Sequence, residues 1–359
     1  ITGIDLVALQ FRIAQGNPLP MSQYEDTLTG HASELRLYTE DRSNDFLPAP
    51  GRAVLWQPPS GEGIRVDHGR RTGQDVSPFY DPMIAKIIAH GEDRQTALRR
   101  LVRALENTVL FGVPNNRRFL IDALGREDFA AGAATTAFIE DNFTAEDLQP
   151  DAAGAADMAL AAVLQYRQRQ RDAGGVFTNN APIDWGWRNG RPIDGHFRYV
   201  EGEQVVDVVI REREPGAYSV GVGADSFVIT HLGSEGDHRD LVLVDGLRIG
   251  VWHASTGRGQ LELQCRGRYH CFTNALAFTA GDAETVGSGT VTAPMHGSVL
   301  QLAVAAGDTV AEGPLLAVME AMKREHRLTA EVSGVVNAVH VAQGDQVAAE
   351  TVILDIEDQ

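Results

Sequence analysis

The sequence predicts a multidomain protein: an α+β N-terminal part, a middle part in which one helix precedes an antiparallel β-barrel-like sheet, and a C-terminal pseudo-twofold β-sandwich. Three observations support this architecture. Helical and strand-like patterns alternate over residues 1–148, the hydrophobic period changes to two beyond residue 172, and residues 291–359 contain an internal repeat. With 359 residues, the chain is long enough to form several hydrophobic cores.

The N-terminal part, residues 1–148, combines helices with strands. Apolar residues recur at helical spacing over 5–14 and 93–107, which predicts two helices. Between them, residues 32–38 alternate apolar and charged side chains, as half-buried strands do. A cluster of Pro and Gly at 47–51 predicts turns rather than regular structure.

The middle part, residues 149–279, begins with an Ala-rich helix predicted over 151–172, which we expect to stop at Gly174-Gly175. The turns that follow contain Gly, Asn or Asp and separate eight short strands: 198–200, 205–211, 217–222, 226–230, 240–244, 247–253, 261–264 and 269–273. Such strands favour a closed or nearly closed antiparallel sheet, with the helix filling its interior. Residues 280–290 have few apolar side chains and are predicted to form a flexible linker.

The C-terminal part, residues 291–359, repeats itself with an offset of 37. The turn dipeptide Gly307-Asp308 corresponds to Gly344-Asp345, and Gly297 corresponds to Gly334. Two similar β-halves can each cover the apolar face of the other, which predicts the pseudo-twofold β-sandwich. The chain passes from the first half to the second near 319–326, where we expect an exposed hairpin.

Composition excludes several classes of function. The 49 acidic residues outnumber the 31 basic ones, and the net charge of −18 disfavours binding to nucleic acid or to an anionic membrane. No apolar run reaches the roughly 18 residues of a membrane span. Cys265 and Cys271 can form neither a disulfide framework nor a zinc site, which is typical of a reducing compartment. Because no leader pattern follows Ile1, we expect the chain to begin within a domain.

Motifs in the C-terminal repeat resemble the biotinyl domain, or biotin carboxyl carrier domain, of biotin-dependent carboxylases. They are Ala293-Pro-Met-His-Gly297, Gly307-Asp308 and Glu320-Ala-Met-Lys323. The resemblance implies that Lys323 carries biotin through an amide bond, that Met322 and Ala321 form the attachment site with it, and that a biotin protein ligase is a partner. The related lipoyl domains have Asp before the lysine, so Met322 favours biotin. The alternative is a solvated lysine on an ordinary hairpin.

Motifs in the N-terminal part resemble the C-terminal subdomain of biotin carboxylase, which uses ATP, Mg²⁺ and bicarbonate. They are residues 1–7, 30–32, 40–41, 46–51 and 77–86. Most of that family's ATP site has no counterpart in this chain. Arg65, in Gly63-Ile-Arg-Val-Asp67, matches an active-site position where the resemblance implies that an arginine faces biotin and stabilises negative charge on its ureido oxygen. The alternative is a strand-edge arginine paired with Asp67.

The middle part resembles the domain by which acyl-CoA carboxylase α subunits hold the carboxyltransferase β subunit. The motif that carries this resemblance is Asp184-Trp-Gly-Trp-Arg-Asn189, whose tryptophans suit either an interface or a barrel core. The resemblances together imply the α subunit of a biotin-dependent acyl-CoA carboxylase, an α/β hetero-oligomer. Biotin on Lys323 would be carboxylated with ATP and bicarbonate, and the carboxyl group would pass to an acyl-CoA on the β subunit.

Three further interpretations concern the kind of carboxylase. A pyruvate carboxylase would need a large metal-dependent barrel between residues 148 and 290, a segment too short for one. Glu325-His326 favours 3-methylcrotonyl-CoA or geranyl-CoA as the substrate, while a propionyl-CoA or acetyl-CoA carboxylase α subunit is the alternative. A non-catalytic biotinyl carrier or scaffold is the third possibility. The expected compartment is the cytoplasm of a bacterium or, in a eukaryote, the mitochondrial matrix.

Overall fold

The computed structural model describes residues 1–22, 28–77, 80–176, 194–201, 204–278, 290–293, 297–311, 313–321, 324–330, 332–348 and 351–358. Several predicted features lie outside the described residues. They are the tryptophan motif 184–189, the attachment residues Met322 and Lys323, and the linker 280–290 except for Thr290.

The N-terminal domain contains five helices and nine strands among its described residues. In chain order they are α1 (Leu6–Ala14), β1 (His31–Tyr38), β2 (Glu40–Asp41), β3 (Leu47–Pro48), β4 (Gly51–Ala53), β5 (Leu55–Gln57), β6 (Ile64–His68), β7 (Gln74–Val76), β8 (Met83–Gly91), α2 (Arg94–Asn107), β9 (Val109–Phe111), α3 (Arg117–Gly125), α4 (Glu127–Ala131) and α5 (Phe138–Asn142). Both predicted helices and the predicted strand are confirmed. The predicted turn segment 47–51 also contributes residues to two short strands, β3 and β4.

One antiparallel sheet organises this domain, with β8 between β1 and β6. One of its faces packs against α2, and Leu35, Ile87 and Leu101 are buried between them. Helix α2 begins at Asp93, whose carboxylate accepts a hydrogen bond from the Thr96 amide at 2.7 Å and thereby caps the helix. The other face of the sheet is left for polar side chains.

The middle domain consists of one long helix and one eight-stranded sheet. Its elements are α6 (Ala155–Val176), β10 (Gly195–Glu201), β11 (Gln204–Glu214), β12 (Ala217–Val222), β13 (Asp225–Ser234), β14 (Arg239–Val244), β15 (Leu247–Gly257), β16 (Gln260–Cys265), β17 (Arg268–Thr273) and a short 3₁₀ turn at Ala275–Ala277. Each strand pairs antiparallel with the next one in the sequence.

Helix α6 packs its first half against this sheet, and residues 158–164 are buried there among side chains from its strands. The first and last strands approach each other at an isolated bridge between Tyr199 and Asn274. Closure of the sheet into a barrel stays a prediction. The predicted helix stop at Gly174-Gly175 is wrong, since α6 extends to Val176. Glycine disfavours a helix by only about 1 kcal/mol and does not by itself end one.

The C-terminal domain is built from two four-stranded antiparallel sheets that enclose one core. Its strands are β18 (Thr290–Thr292), β19 (Gly297–Leu302), β20 (Thr309–Val310), β21 (Leu315–Ala321), β22 (Arg324–Thr329), β23 (Gly334–Val339), β24 (Gln346–Val347) and β25 (Val352–Asp358). Strands β19, β20 and β21 recur as β23, β24 and β25, each shifted by 37 positions.

The hydrogen bonds between the two halves of this domain follow the same repeat. The Gly307 amide donates to the Val336 carbonyl at 2.7 Å, and the Gly344 amide donates to the Val299 carbonyl at 2.7 Å. Both glycines have positive φ angles, +94° and +93°, which glycine adopts without steric cost. Each half therefore holds the turn of the other in the same way, as expected for a pseudo-twofold sandwich.

Candidate functional site

The first candidate site is the hairpin formed by β21 and β22. Ala321 is paired with Arg324, and Met322 and Lys323 are the two residues between them in the sequence. Ala321 ends the first strand, while Met322 and Lys323 lie outside the described residues.

The strand that precedes this connection, β21, is firmly held. Leu316, Ala317 and Met319 of β21 are buried in the core of the C-terminal domain. Strand β21 also pairs with β19 on its other edge. These flanks fit a covalently attached cofactor, because a modifying enzyme can reach an amine between two strands without breaking a ladder.

The second candidate site is the polar face of the sheet in the N-terminal domain, which we call the charged face: Glu34, Arg36, Arg65, Asp67 and Lys86. Lys86 in the central strand lies directly between Arg36 on β1 and Asp67 on β6. Its ammonium group is 3.5 Å from a carboxylate oxygen of Glu34. Cross-strand neighbours share one face of a sheet, so these charges lie together on the side opposite α2.

Arg65 is bound to Asp67 on the charged face. Its Nε and Nη2 donate to the two carboxylate oxygens, each at 2.9 Å, in a bidentate pair. The hydrogen bond from Arg65 lowers the pKa of Asp67, and the same bond raises the pKa of Arg65. The Arg65 side chain is 74% exposed. The structure thus shows the partner that the alternative interpretation expected, and the role of Arg65 toward biotin stays a prediction.

Arg36 was not singled out from the sequence as a candidate, yet it lies on the same face as Arg65. It stands in β1 between the buried residues Leu35 and Leu37 and is itself exposed. Its pKa is raised by a hydrogen bond with Tyr38, and Glu34 adds to the effect through its charge. The alternation of apolar and charged residues in β1 could have identified Arg36 from the sequence, since it assigns Arg36 to the polar face.

Two kinds of site are absent from the part of the chain that the structure describes. No group of three or more His, Cys, Asp or Glu side chains is placed to hold a metal ion there. None of the helices found there is long and apolar enough to cross a membrane. Cys265 and Cys271 both carry free thiols.

Comparison with protein families identifies two of the domains. Residues 34–141 match the biotin carboxylase C-terminal domain, and residues 289–356 match the family described as biotin-requiring enzyme. The chain therefore contains a biotin carboxylase C-terminal domain followed by a biotinyl domain. These matches support covalent biotin as the cofactor, with ATP, Mg²⁺ and bicarbonate as the ligands of the carboxylase.

Several characterised proteins are similar to the chain along its length. It is 30% identical over 379 residues to the α subunit of mitochondrial methylcrotonoyl-CoA carboxylase from Mus musculus, covering 100% of this chain and 51% of that protein. The α chain of mitochondrial propionyl-CoA carboxylase from Mus musculus is also 30% identical, with 99% of this chain and 50% of that protein covered. The chain spans about half the length of these relatives.

Among solved structures, the biotin carboxylase subunit of a pyruvate carboxylase is 36% identical, with a TM-score of 0.40 over 42% of this chain and 33% of that one. The relatives that align along nearly the whole chain are thus α subunits of methylcrotonoyl-CoA and propionyl-CoA carboxylases.

Proposed function

We propose that this chain is the biotin-carrying part of the α subunit of an acyl-CoA carboxylase. The observation that carries the proposal is the order of domains: a biotin carboxylase C-terminal domain and a biotinyl domain in one chain, with α subunits of acyl-CoA carboxylases similar along the whole length. The middle domain, residues 149–279, would hold a carboxyltransferase β subunit in an α/β hetero-oligomer. A non-catalytic carrier is the alternative.

Lys323 is the proposed point of attachment for biotin, with Ala321 and Met322 beside it. When bound, biotin supplies a ring nitrogen that accepts a carboxyl group and later releases it to the acyl-CoA. The chain's contribution at this site is to present the lysine between two paired strands whose core residues fix the hairpin. The amide bond to biotin removes the charge of the lysine amine.

The proposed contribution of the charged face is electrostatic. With biotin bound, a guanidinium on this face would donate to the ureido oxygen and would stabilise negative charge there. Arg65 is the residue that the family resemblance selects, and Arg36 lies on the same face. A fixed guanidinium suits this role because it stays charged and presents several donors.

Replacement of the acceptor lysine tests the proposal directly. In cells that contain a biotin protein ligase, we expect the wild-type chain to gain the mass of one biotin and to bind streptavidin. Lys323→Arg removes the amine that forms the amide, so this variant should gain no mass and should not bind. Lys86→Arg, a change of the same kind in the N-terminal domain, is the matched control and should remain biotinylated. Biotin retained in Lys323→Arg would refute the attachment site.

The acyl-CoA substrate is proposed to be 3-methylcrotonyl-CoA or geranyl-CoA. This substrate assignment rests on Glu325-His326, the pair that follows Arg324. The relatives do not decide it, because methylcrotonoyl-CoA and propionyl-CoA carboxylase subunits are equally similar to the chain. The purified α/β complex should carboxylate methylcrotonyl-CoA or geranyl-CoA at least about tenfold more efficiently than propionyl-CoA, the scale on which an acyl pocket distinguishes small apolar groups. A preference for propionyl-CoA would overturn this assignment.

The proposed compartment is a bacterial cytoplasm or a mitochondrial matrix.

A further inference from the structure

The C-terminal end of α2 is bound by a side chain from the middle domain. Gln264 on β16 is 3% exposed, and its Nε2 donates to the carbonyl oxygens of Glu106 and Thr108, both at 2.9 Å. Carbonyl groups at the end of a helix have no partner within the helix. The middle domain thus supplies a cap that the N-terminal domain needs.

A buried arginine ties the same helix end to the middle domain from the other side. Arg117 at the start of α3 is 4% exposed, and its Nη1 donates to the Leu105 carbonyl at 3.1 Å. Its Nη2 donates to the Gly267 carbonyl, in the turn between β16 and β17, at 3.0 Å. Burial lowers the pKa of Arg117 to about 10, so the guanidinium is still charged at neutral pH.

A buried carboxylate forms a third connection. Both oxygens of Glu262 on β16 accept the Gly112 amide, at 2.9 and 3.0 Å, and Glu262 is 5% exposed. Gly112 has a φ of +93°, and a Cβ at this position would overlap the Arg52 carbonyl. The amide can therefore face Glu262 only because residue 112 is glycine.

Apolar side chains surround these polar contacts. Leu55, Val109 and Phe111 of the N-terminal domain form a buried cluster with Ala254 of β15. The Phe111 ring also lies 5.9 Å from that of Tyr269 on β17, measured between centroids. These apolar side chains keep water away from the hydrogen bonds that join the two domains.

We infer that the N-terminal domain and the middle domain are one cooperative unit, fastened by Arg117, Glu262 and Gln264. Separating the two domains would break the interdomain hydrogen bonds of Arg117, Glu262 and Gln264, expose the apolar cluster around Phe111, and leave the end of α2 without its cap. The two domains therefore open and unfold together. This inference is independent of the proposed function. If that function holds, biotin is delivered by movement of the biotinyl domain against this unit and not by a hinge within it.

Hydrogen exchange on the whole wild-type chain tests the inference without any substitution. Peptides covering 105–113 and 261–265 should exchange with the same protection and the same dependence on mild denaturant, because one opening exposes both. Scanning calorimetry should show one transition for the two domains. Separate transitions, or different denaturant slopes for the two peptides, would refute the unit.

A pair of variants tests the fastening residues. Gln264→Glu replaces the donor by a carboxylate that faces two carbonyl oxygens, and we expect the exchange of 105–113 to accelerate by about tenfold or more. Gln260→Glu, the same change at the other end of β16, is the matched control and should alter this exchange less than about twofold. Equal effects of the two variants would contradict the role of Gln264. If Gln264→Glu does not fold, Arg117→Lys, which cannot bridge both carbonyls, should give the same acceleration.

Discussion

At the scale of single residues, the two arginines of the charged face differ in their partners. Arg65 is paired through two hydrogen bonds with the carboxylate of Asp67, which neutralises much of its field. The pKa of Arg36 is instead raised mainly by a hydrogen bond with Tyr38. A guanidinium whose donors are already taken by a carboxylate has fewer of them left for a developing oxyanion. We therefore expect Arg36 to have more donors available than Arg65 for a negative charge that develops on biotin.

Conservative replacement should separate these two assignments. In the holoenzyme, Arg36→Lys should lower the rate of ATP- and bicarbonate-dependent biotin carboxylation by about 10²-fold, the usual loss when one donor to a developing negative charge is removed. Arg65→Lys should cause a smaller loss. Arg99→Lys, on the exposed side of α2, controls for a general effect of the substitution. A larger loss in Arg65→Lys would restore the assignment made from the sequence.

At the scale of elements, prediction succeeded where local signals agreed. Helix α2 was placed to within one residue, because Asp93 caps it and its apolar residues keep helical spacing. Strand β8 was not predicted as a strand, since its buried run Met83–Gly91 lacks the alternation that marks a strand with one exposed face. The repeat of the biotinyl domain was predicted in full because its turn dipeptides recur in the sequence. The interdomain contacts of Gln264 and Glu262 gave no local signal, since they depend on tertiary packing.

Three neighbouring strands of the middle domain bring together a buried acid and two histidines. Asp240 on β14 is 1% exposed, and its Oδ2 lies 3.5 Å from Nε2 of His253 and 3.4 Å from Nε2 of His231. Burial by itself raises the pKa of Asp240, but its interactions with His253, Ser234 and His231 hold the pKa well below its ordinary range. The ionised form of Asp240 is therefore the one that the fold stabilises.

The stability of the middle domain should therefore depend on the ionised carboxylate of Asp240. The pKa of Asp240 is lower in the folded chain than in the unfolded chain. Its charge therefore stabilises the fold at pH values above the ordinary pKa of about 3.9, and this stabilisation is lost as the pH falls toward the pKa of the folded state. Asp240→Asn should reduce the free energy of unfolding by roughly 1–3 kcal/mol. The difference in melting temperature between the wild type and Asp240→Asn should narrow as the pH falls below about 4. Asp225→Asn, at the exposed start of β13, is the control. Equal melting temperatures at pH 7 would contradict the argument.

At the scale of the whole molecule, the functional residues lie in different domains, and their meeting depends on assembly. The motif around Lys323 predicts the attachment point from the sequence alone because the motif is local. The position of the charged face relative to that lysine follows from no local pattern. The sheet of the middle domain has an exposed apolar surface that a partner subunit could cover. Val209, Val228 and Leu232 are 36%, 53% and 46% exposed there.

We expect this exposed apolar surface to contact the proposed β subunit. Val228 and Leu232 both lie on β13 and are exposed, whereas Ile229 on the same strand is buried. The double variant Val228→Glu, Leu232→Glu places two charges on that surface and should weaken β-subunit binding by about tenfold or more, measured by co-purification and titration. Biotinylation of Lys323 should be unchanged, and an unchanged melting temperature of the unit formed by the N-terminal and middle domains would show that the substituted domain is folded. Leu28→Glu, at a more exposed leucine of the N-terminal domain, is the matched control and should bind normally. Normal binding by the double variant would place the β-subunit contact on another surface of the chain.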